Sequence, residues 1–553
     1  LKRRTFLSSS LASSLALAAG RAVPAAFPFS LAFRGDGFRL EEATIASIQQ
    51  AVSAGILTTE RLVELYLARI EAYDFGAPRL ASVLAVNPRA LDDARALDAE
   101  RRARGPRGPL HGIPVLLKDN VDTVDMPTSN GSWVLRKAMA PDDAFITKAL
   151  RDAGAVILGK AAMGEFAGGS YNSVRGQTIN PYHLKRNTGG SSSGSGAAIG
   201  ANLAVLAVGT DTSTSVRGPA AYNGLVGLRP TTGLISRDGI APKNLNFDTA
   251  GPMARTVTDL AHMLSVIGAP DGGADPLNSA VWGEMGARGI DYATFLDEGG
   301  LRGARLGVVR DFFGGDPEID ALAETALRTL EGLGAQLVDV TLPQKILDEY
   351  LGRGGQSIRR ISDYRFREDW EAYLRTLGGD VPRTVADFIR VYETEVMGSA
   401  APVEASVMRL LRDSLGTSVE DPAYRQLLGE TLPTATRDKL ALFSEQGVDA
   451  LVFPYESAFA SPIRNPIYSL EDPTYVASDR PVSSIFAGYS SVGFPGIVVP
   501  MGFGAQGLPM ALSFFGRPYE EGRLIQYAYA YEQASGLRRP SPLVPPLNGE
   551  EIG

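Results

Sequence analysis

Apolar residues first settle into a helical rhythm near residue 45. Ile45, Ile48 and Val52 share one face, with Gly55 as a stop, which predicts a first helix. Thr58 or Thr59 can cap a second helix that turns Leu62, Leu65, Tyr66 and Ile70 inward. Residues 113–117 break the rhythm with a continuous apolar run, the pattern of a strand buried on both faces, and the run ends at Lys118. The periodicity then predicts a helix over 142–153, a short strand at 155–158 and a helix over 255–267. Residues 303–340 read as strand, helix, strand, a unit that builds mixed or parallel sheets. Further short strands are expected at 449–454, 497–499 and 512–515, with a helix beginning at Ser483 and a last one over 521–535.

Two segments depart from this α/β alternation. Residues 344–435 are helix-prone, rich in Arg and Glu, and poor in glycine beyond the cluster at 352–355; they read as a helical insertion or cap, serving either solvent-facing packing or one wall of a substrate pocket. The tail at 538–553 is proline-rich and expected to be extended. At the other end, KRRTFL precedes a serine-containing apolar run and a small-residue Val-Pro-Ala site. Residues 1–25 therefore read as an export signal of twin-arginine type, carried by Arg3-Arg4, with a periplasmic or secreted location expected. The run falls short of the about 20 apolar residues that a membrane span needs, so no stable membrane insertion is expected.

Composition narrows the chemistry. The 553 residues are 44% hydrophobic and 21% charged, the makeup of a globular chain with a large core. The net charge is −8 with no basic run, which argues against nucleic acid as a partner. There is no cysteine, so disulfides, thiolate metal sites and a cysteine nucleophile are excluded. Three histidines, His111, His183 and His262, leave few ligands for zinc and few choices of histidine base.

Against that background residues 189–217 stand out: nine hydroxyl side chains, many glycines and alanines, and neither lysine nor histidine. A phosphate cradle is one reading, but Gly194, Gly196 and Gly200 miss the dinucleotide spacing by one position, and no strand or P-loop lysine accompanies them. A buried small-residue helix over 197–208 is a second, which leaves the flanking hydroxyl clusters without a role. Nucleophilic catalysis is the third. A serine hydroxyl needs a base, and a lysine made neutral by burial can supply one. Lys118 at the end of its apolar strand is the best such lysine, although a surface position or a pair with Asp119 would explain it equally well; Lys160 ranks lower because its preceding apolar run is shorter.

The segments HGIPVLLKDNVDT, GQTINPY, GGSSSGSGAAIGANLAVLAVGTDTSTSVRGPAAYNGLVGLRPT, DALVFP, GFPGIVVPMGF and GLPMALSFFGRP, taken together, resemble the amidase signature family of serine hydrolases. The likeness runs roughly from Glu41 to Ser535 and is weakest between 344 and 435. It implies an α/β fold: a single large domain over 38–537 with a mixed, mostly parallel central sheet covered by helices. It also implies hydrolysis of carboxylic amide bonds in a small-molecule substrate by a Ser-Ser-Lys triad, without cofactor or metal. The family lysine matches Lys118, the bridging serine held by a cis peptide matches Ser191, and the nucleophile matches Ser215. Backbone N–H groups of Thr212, Ser213, Thr214 and Ser215 match the oxyanion loop, with Ser192, Asp211 and Arg217 in support. A homodimer is left open. One departure is the Ser213-Thr214 pair, where relatives often carry two glycines. The alternatives are esterase or carbamate cleavage by the same triad, a non-catalytic binding protein, and an amidotransferase-like subunit.

Overall fold

A computed structural model describes residues 37–286, 288–351, 361–478 and 493–553. The expected export signal, the glycine cluster at 352–355 and the first part of the helix expected from Ser483 lie outside the described residues.

An 11-stranded sheet runs through residues 37–553. In spatial order its strands are Gln336–Val340, Arg305–Val309, Ala450–Pro454, Pro509–Phe515, Gly496–Phe503, Val226–Arg229, Thr249–Ala254, Leu206–Asp211, Pro114–Lys118, Val156–Ala161 and Val83–Val86. The sheet is mixed, as expected, but less parallel than expected: four neighbouring pairs are parallel and six antiparallel. The parallel pairs follow helical crossovers, such as Pro317–Gly332 between Arg305–Val309 and Gln336–Val340. The antiparallel majority comes from the middle of the sheet. There Gly496–Phe503 and Pro509–Phe515 form a hairpin, and Thr249–Ala254 inserts between Leu206–Asp211 and Val226–Arg229 against both.

Local chemistry sets the element ends. Thr44 and Ser47 form a capping box at helix Ile45–Ser53, and Thr58 caps Thr59–Arg69 through the Arg61 amide. Asp316 caps a helix that starts on Pro317, and Gly447 and Gly536 close their helices in the left-handed conformation. Every residue of Pro114–Lys118 is buried because parallel strands flank it on both edges. The small-residue stretch expected as one helix is split: Ser193–Gly200 is helical and Leu206–Asp211 is a strand. Glycine is required in this helix for close packing. A Cβ on Gly194 would collide with the backbone of Ser82 and Ala162, and one on Gly196 with Pro219.

The segment 361–446 is mainly helical. Part of it builds a separate apolar cluster in which Phe366, Trp370, Phe388 and Tyr392 surround Phe166. The tail is anchored rather than loose: Glu551–Ile552 pairs antiparallel with Phe38–Arg39, and Arg538 bonds Glu42 and the carbonyls of Asn223 and Gly224. Among the described residues no helix is long and apolar enough to cross a membrane, and no cluster of metal-ligating side chains occurs.

Candidate active site

Lys118 ends its strand fully buried at 0% exposure. Its Nζ lies 2.8 Å from Ser191 Oγ, 2.8 Å from Thr210 Oγ1 and 3.2 Å from the Thr210 carbonyl. It makes no ion pair among the described residues. Asp119 instead turns to the Ser129 hydroxyl and to the Gly131 amide. Burial pushes the Lys118 ammonium down from 10.5 to about 7; Asp211 and Asp248 resist that shift and Lys243 adds to it. Lys160, also buried, sits on the neighbouring strand and is spent on the Val121 carbonyl and Thr128.

The contacts of Lys118 fit a neutral amine. The Thr210 carbonyl can only accept, and Thr210 Oγ1 already accepts from Asn120 Nδ2 at 3.1 Å. A neutral amine there can donate one N–H to the Thr210 carbonyl and the other to a hydroxyl, with its lone pair turned to the remaining hydroxyl of the Ser191 and Thr210 pair.

Ser191 (1% exposed) follows a cis peptide bond after Gly190. Its carbonyl accepts from the Gly164 amide at 2.9 Å. Ser192 ties the two hydroxyl clusters together. Its Oγ bonds the backbone of Thr210, and its amide donates to the Ser215 carbonyl at 3.3 Å. Ser215 is 7% exposed, in the turn between strand Leu206–Asp211 and helix Arg217–Tyr222. No hydrogen bond joins Ser215 Oγ directly to Ser191 Oγ. Among the described residues the amides of Thr212, Ser213, Thr214 and Ser215 donate to no protein acceptor, leaving four donors at the Ser215 end of the site. Neither Ser213 nor Thr214 has a positive φ, so the pair takes an ordinary backbone conformation in place of glycines.

Asp211 and Arg217 brace this turn. The Asp211 carboxylate accepts from the Val216 amide at 3.0 Å and pairs with Arg217 and Arg229, all three side chains fully buried. Burial disfavours its charge, yet the two guanidinium groups outweigh burial and hold the carboxyl below its usual range. Arg217 also donates to the Ser213 carbonyl, and Arg229 to the carbonyls of Asp211 and Phe247.

Sequence reasoning missed several groups here. Thr210 was one hydroxyl among nine; it is the second anchor of Lys118. Asp248 accepts from the Thr212 hydroxyl at 2.6 Å and from the amides of Lys243 and Asn244. Glu165 is buried beside Gly164, accepts from Ser173 and Tyr392, and is pushed by burial up to about 7. No motif marks any of these. None of the three histidines bonds a residue of this site: His111 contacts the Leu97 carbonyl, and His183 lies near Asp472.

Known proteins share this arrangement of the chain. The structure of native peptide amidase from Stenotrophomonas maltophilia superimposes with a TM-score of 0.79 at 38% identity, covering 90% of this chain and 98% of that one. The "Probable amidase" of Arabidopsis thaliana is 34% identical over 91% of this chain and 92% of its own length. A glutamyl-tRNA(Gln) amidotransferase subunit of Myxococcus xanthus is 35% identical over 91% of this chain and 100% of its own. The Amidase family model matches residues 61–525, and with these relatives that match shows that the chain belongs to the Amidase family.

Proposed function

We propose that this amidase hydrolyses carboxylic amides with Ser215 as nucleophile, Ser191 as proton bridge and neutral Lys118 as base. The 2.8 Å approach of Lys118 Nζ to Ser191 Oγ, inside a buried strand end, is the observation that carries the reading. Lys118 takes the Ser191 proton as Ser191 takes the Ser215 proton, and Ser215 Oγ bonds to the substrate carbonyl carbon. The carbonyl oxygen becomes an oxyanion facing the free amides of 212–215. Collapse of that intermediate breaks the C–N bond. The proton held by Lys118 returns through Ser191 to the amine, which leaves, and the acyl group stays on Ser215. Water then attacks the ester along the same relay, freeing the acid and restoring the Ser215 hydroxyl.

The likeness to peptide amidase favours an amide on a peptide-like acyl group. The likeness to the glutamyl-tRNA(Gln) amidotransferase chain keeps a glutamine-derived amide as the second reading. Incubation with a panel of peptide amides, acyl anilides and glutamine, followed by acid quench and intact mass, tests both. The expected result is an acyl adduct mapped to Ser215 and absent from Ser215→Ala. Turnover by Ser215→Ala at the wild-type rate would refute the assignment.

A further inference from the structure

Gly164 and Gly169 both touch the stretch that carries Ser191. The Gly164 amide donates to the Ser191 carbonyl at 2.9 Å, and a Cβ on Gly190 would collide with the Gly169 carbonyl. Between them Phe166 and Ala167 take left-handed backbone conformations, with φ of 50° and 56°. Non-glycine residues rest there only where their surroundings hold them. The Lys118 side of the site has its own support. Asp119, the residue after Lys118, accepts from the Asn130 amide at its carbonyl, at 3.2 Å, and from the Gly131 amide at its carboxylate, at 3.0 Å.

The Glu165 carboxylate joins these two supports. It is 1% exposed, and its Oε1 accepts from Ser173 Oγ at 2.6 Å and from the Tyr392 hydroxyl at 2.5 Å. Ser173 is tied to the Lys118 side: its amide donates to the Gly131 carbonyl and its Oγ accepts from the Trp133 amide. Ser132 stands on the same loop, its Oγ 2.5 Å from the Tyr392 hydroxyl and accepting from the Val134 amide. All these contacts are met together when Ser132 donates to Tyr392, and Tyr392 and Ser173 both donate to Glu165. Tyr392 comes from the helical segment, which reaches the site through this contact.

We propose that Glu165 is a positioning residue: it locks the turn at 164–169 to the loop at 129–133 and so sets the approach of Ser191 to Lys118, with Tyr392 as a clamp from the helical segment. This rests on the amide-hydrolase reading and adds the group that keeps its proton relay in line. The Glu165 Oε2 is buried with no hydrogen-bond partner among the described residues. Glu165→Gln must therefore put its NH2 where no acceptor waits, or against two hydroxyl donors.

The test measures kcat, KM and the rate at which Ser215 reacts with a fluorophosphonate, counted per labelled site. It compares wild type, Glu165→Gln, Tyr392→Phe and the double variant. In Glu165→Gln kcat and the labelling rate should fall together by about 30-fold with KM within about twofold, because a small misplacement of the relay slows its step. Tyr392→Phe should lose about fivefold, and the double variant should be no slower than Glu165→Gln, since both changes act on one contact. A Glu165→Gln kcat within about twofold of wild type, a loss confined to the fraction of sites that label, or a double variant slowed by the product of the two losses overturns the proposal. If Glu165→Gln does not fold, Tyr392→Phe decides on the same two rates. If wild-type Ser215 does not label, the hydrolase reading fails, and the positioning role is read by hydrogen exchange at the Gly164 amide. Faster exchange there in folded Tyr392→Phe supports the tie to Ser191; an unchanged rate overturns it.

Discussion

Replacing Lys118 with methionine should raise stability near neutral pH while removing activity. A lysine moved from 10.5 to about 7 on folding costs the folded state about 5 kcal/mol when both states are fully protonated. The folded form holds fewer protons than the unfolded form between about pH 7 and 10.5. Folding therefore gains stability as pH rises through that window, and the full penalty stands below pH 7. Methionine has a similar length and no charge, so it removes the penalty but forfeits the three contacts to Ser191 and Thr210. Those contacts are worth roughly 1 kcal/mol each. Lys118→Met should then be more stable than wild type by about 2 kcal/mol at pH 6 and less stable by about 3 kcal/mol above pH 10.5, with the sign changing near ~pH 8. Urea denaturation of both proteins at pH 6, 7, 8, 9 and 10.5 measures this directly. A variant less stable than wild type by the same amount at every pH would refute the reasoning, because it would mean that burial has not shifted Lys118.

Other groups give independent checks. Asp211→Asn leaves Arg217 and Arg229 buried without their carboxylate and should cost about 3–5 kcal/mol in denaturant titration; a loss below about 1 kcal/mol would contradict a bracing role. Phe166→Ala removes edge-to-face contacts with Phe366, Trp370 and Phe388 and should cost about 3–5 kcal/mol. Because Phe166 sits two residues from Gly164, whose amide holds the Ser191 carbonyl, kcat should fall as well; an unchanged kcat in the folded variant would separate the aromatic cluster from the site.

Much of this was legible because apolar pattern and burial coincide. The run at 113–117 ending on Lys118 is what a strand flanked by parallel neighbours must look like, and a lysine placed there has no aqueous exit. The strand–helix–strand unit at 303–340 was legible for the same reason. The Leu206–Asp211 strand was hidden because alanine, glycine and valine serve a tightly packed helix and a buried strand equally well, and the stop between them is a lone asparagine, Asn202, which ends the helix in the left-handed conformation. The antiparallel bias of the sheet was hidden too, since strand order and direction are set by contacts between residues far apart in sequence. Thr210, Asp248 and Glu165 carry no motif; they matter through which atoms they face. The segment 344–435 showed its helices but not its faces. The packing of Phe366, Trp370 and Phe388 around Phe166 depends on a loop about 200 residues earlier in the chain.

The pH dependence of kcat/KM on one hydrolysed amide, measured from pH 5 to 9.5, tests the central claim most directly. With neutral Lys118 as base, the rate should climb about tenfold per pH unit in acid, bend near pH 7 and level off above it. A profile already flat from pH 5, or one that peaks in acid and falls toward neutrality, would contradict a lysine base.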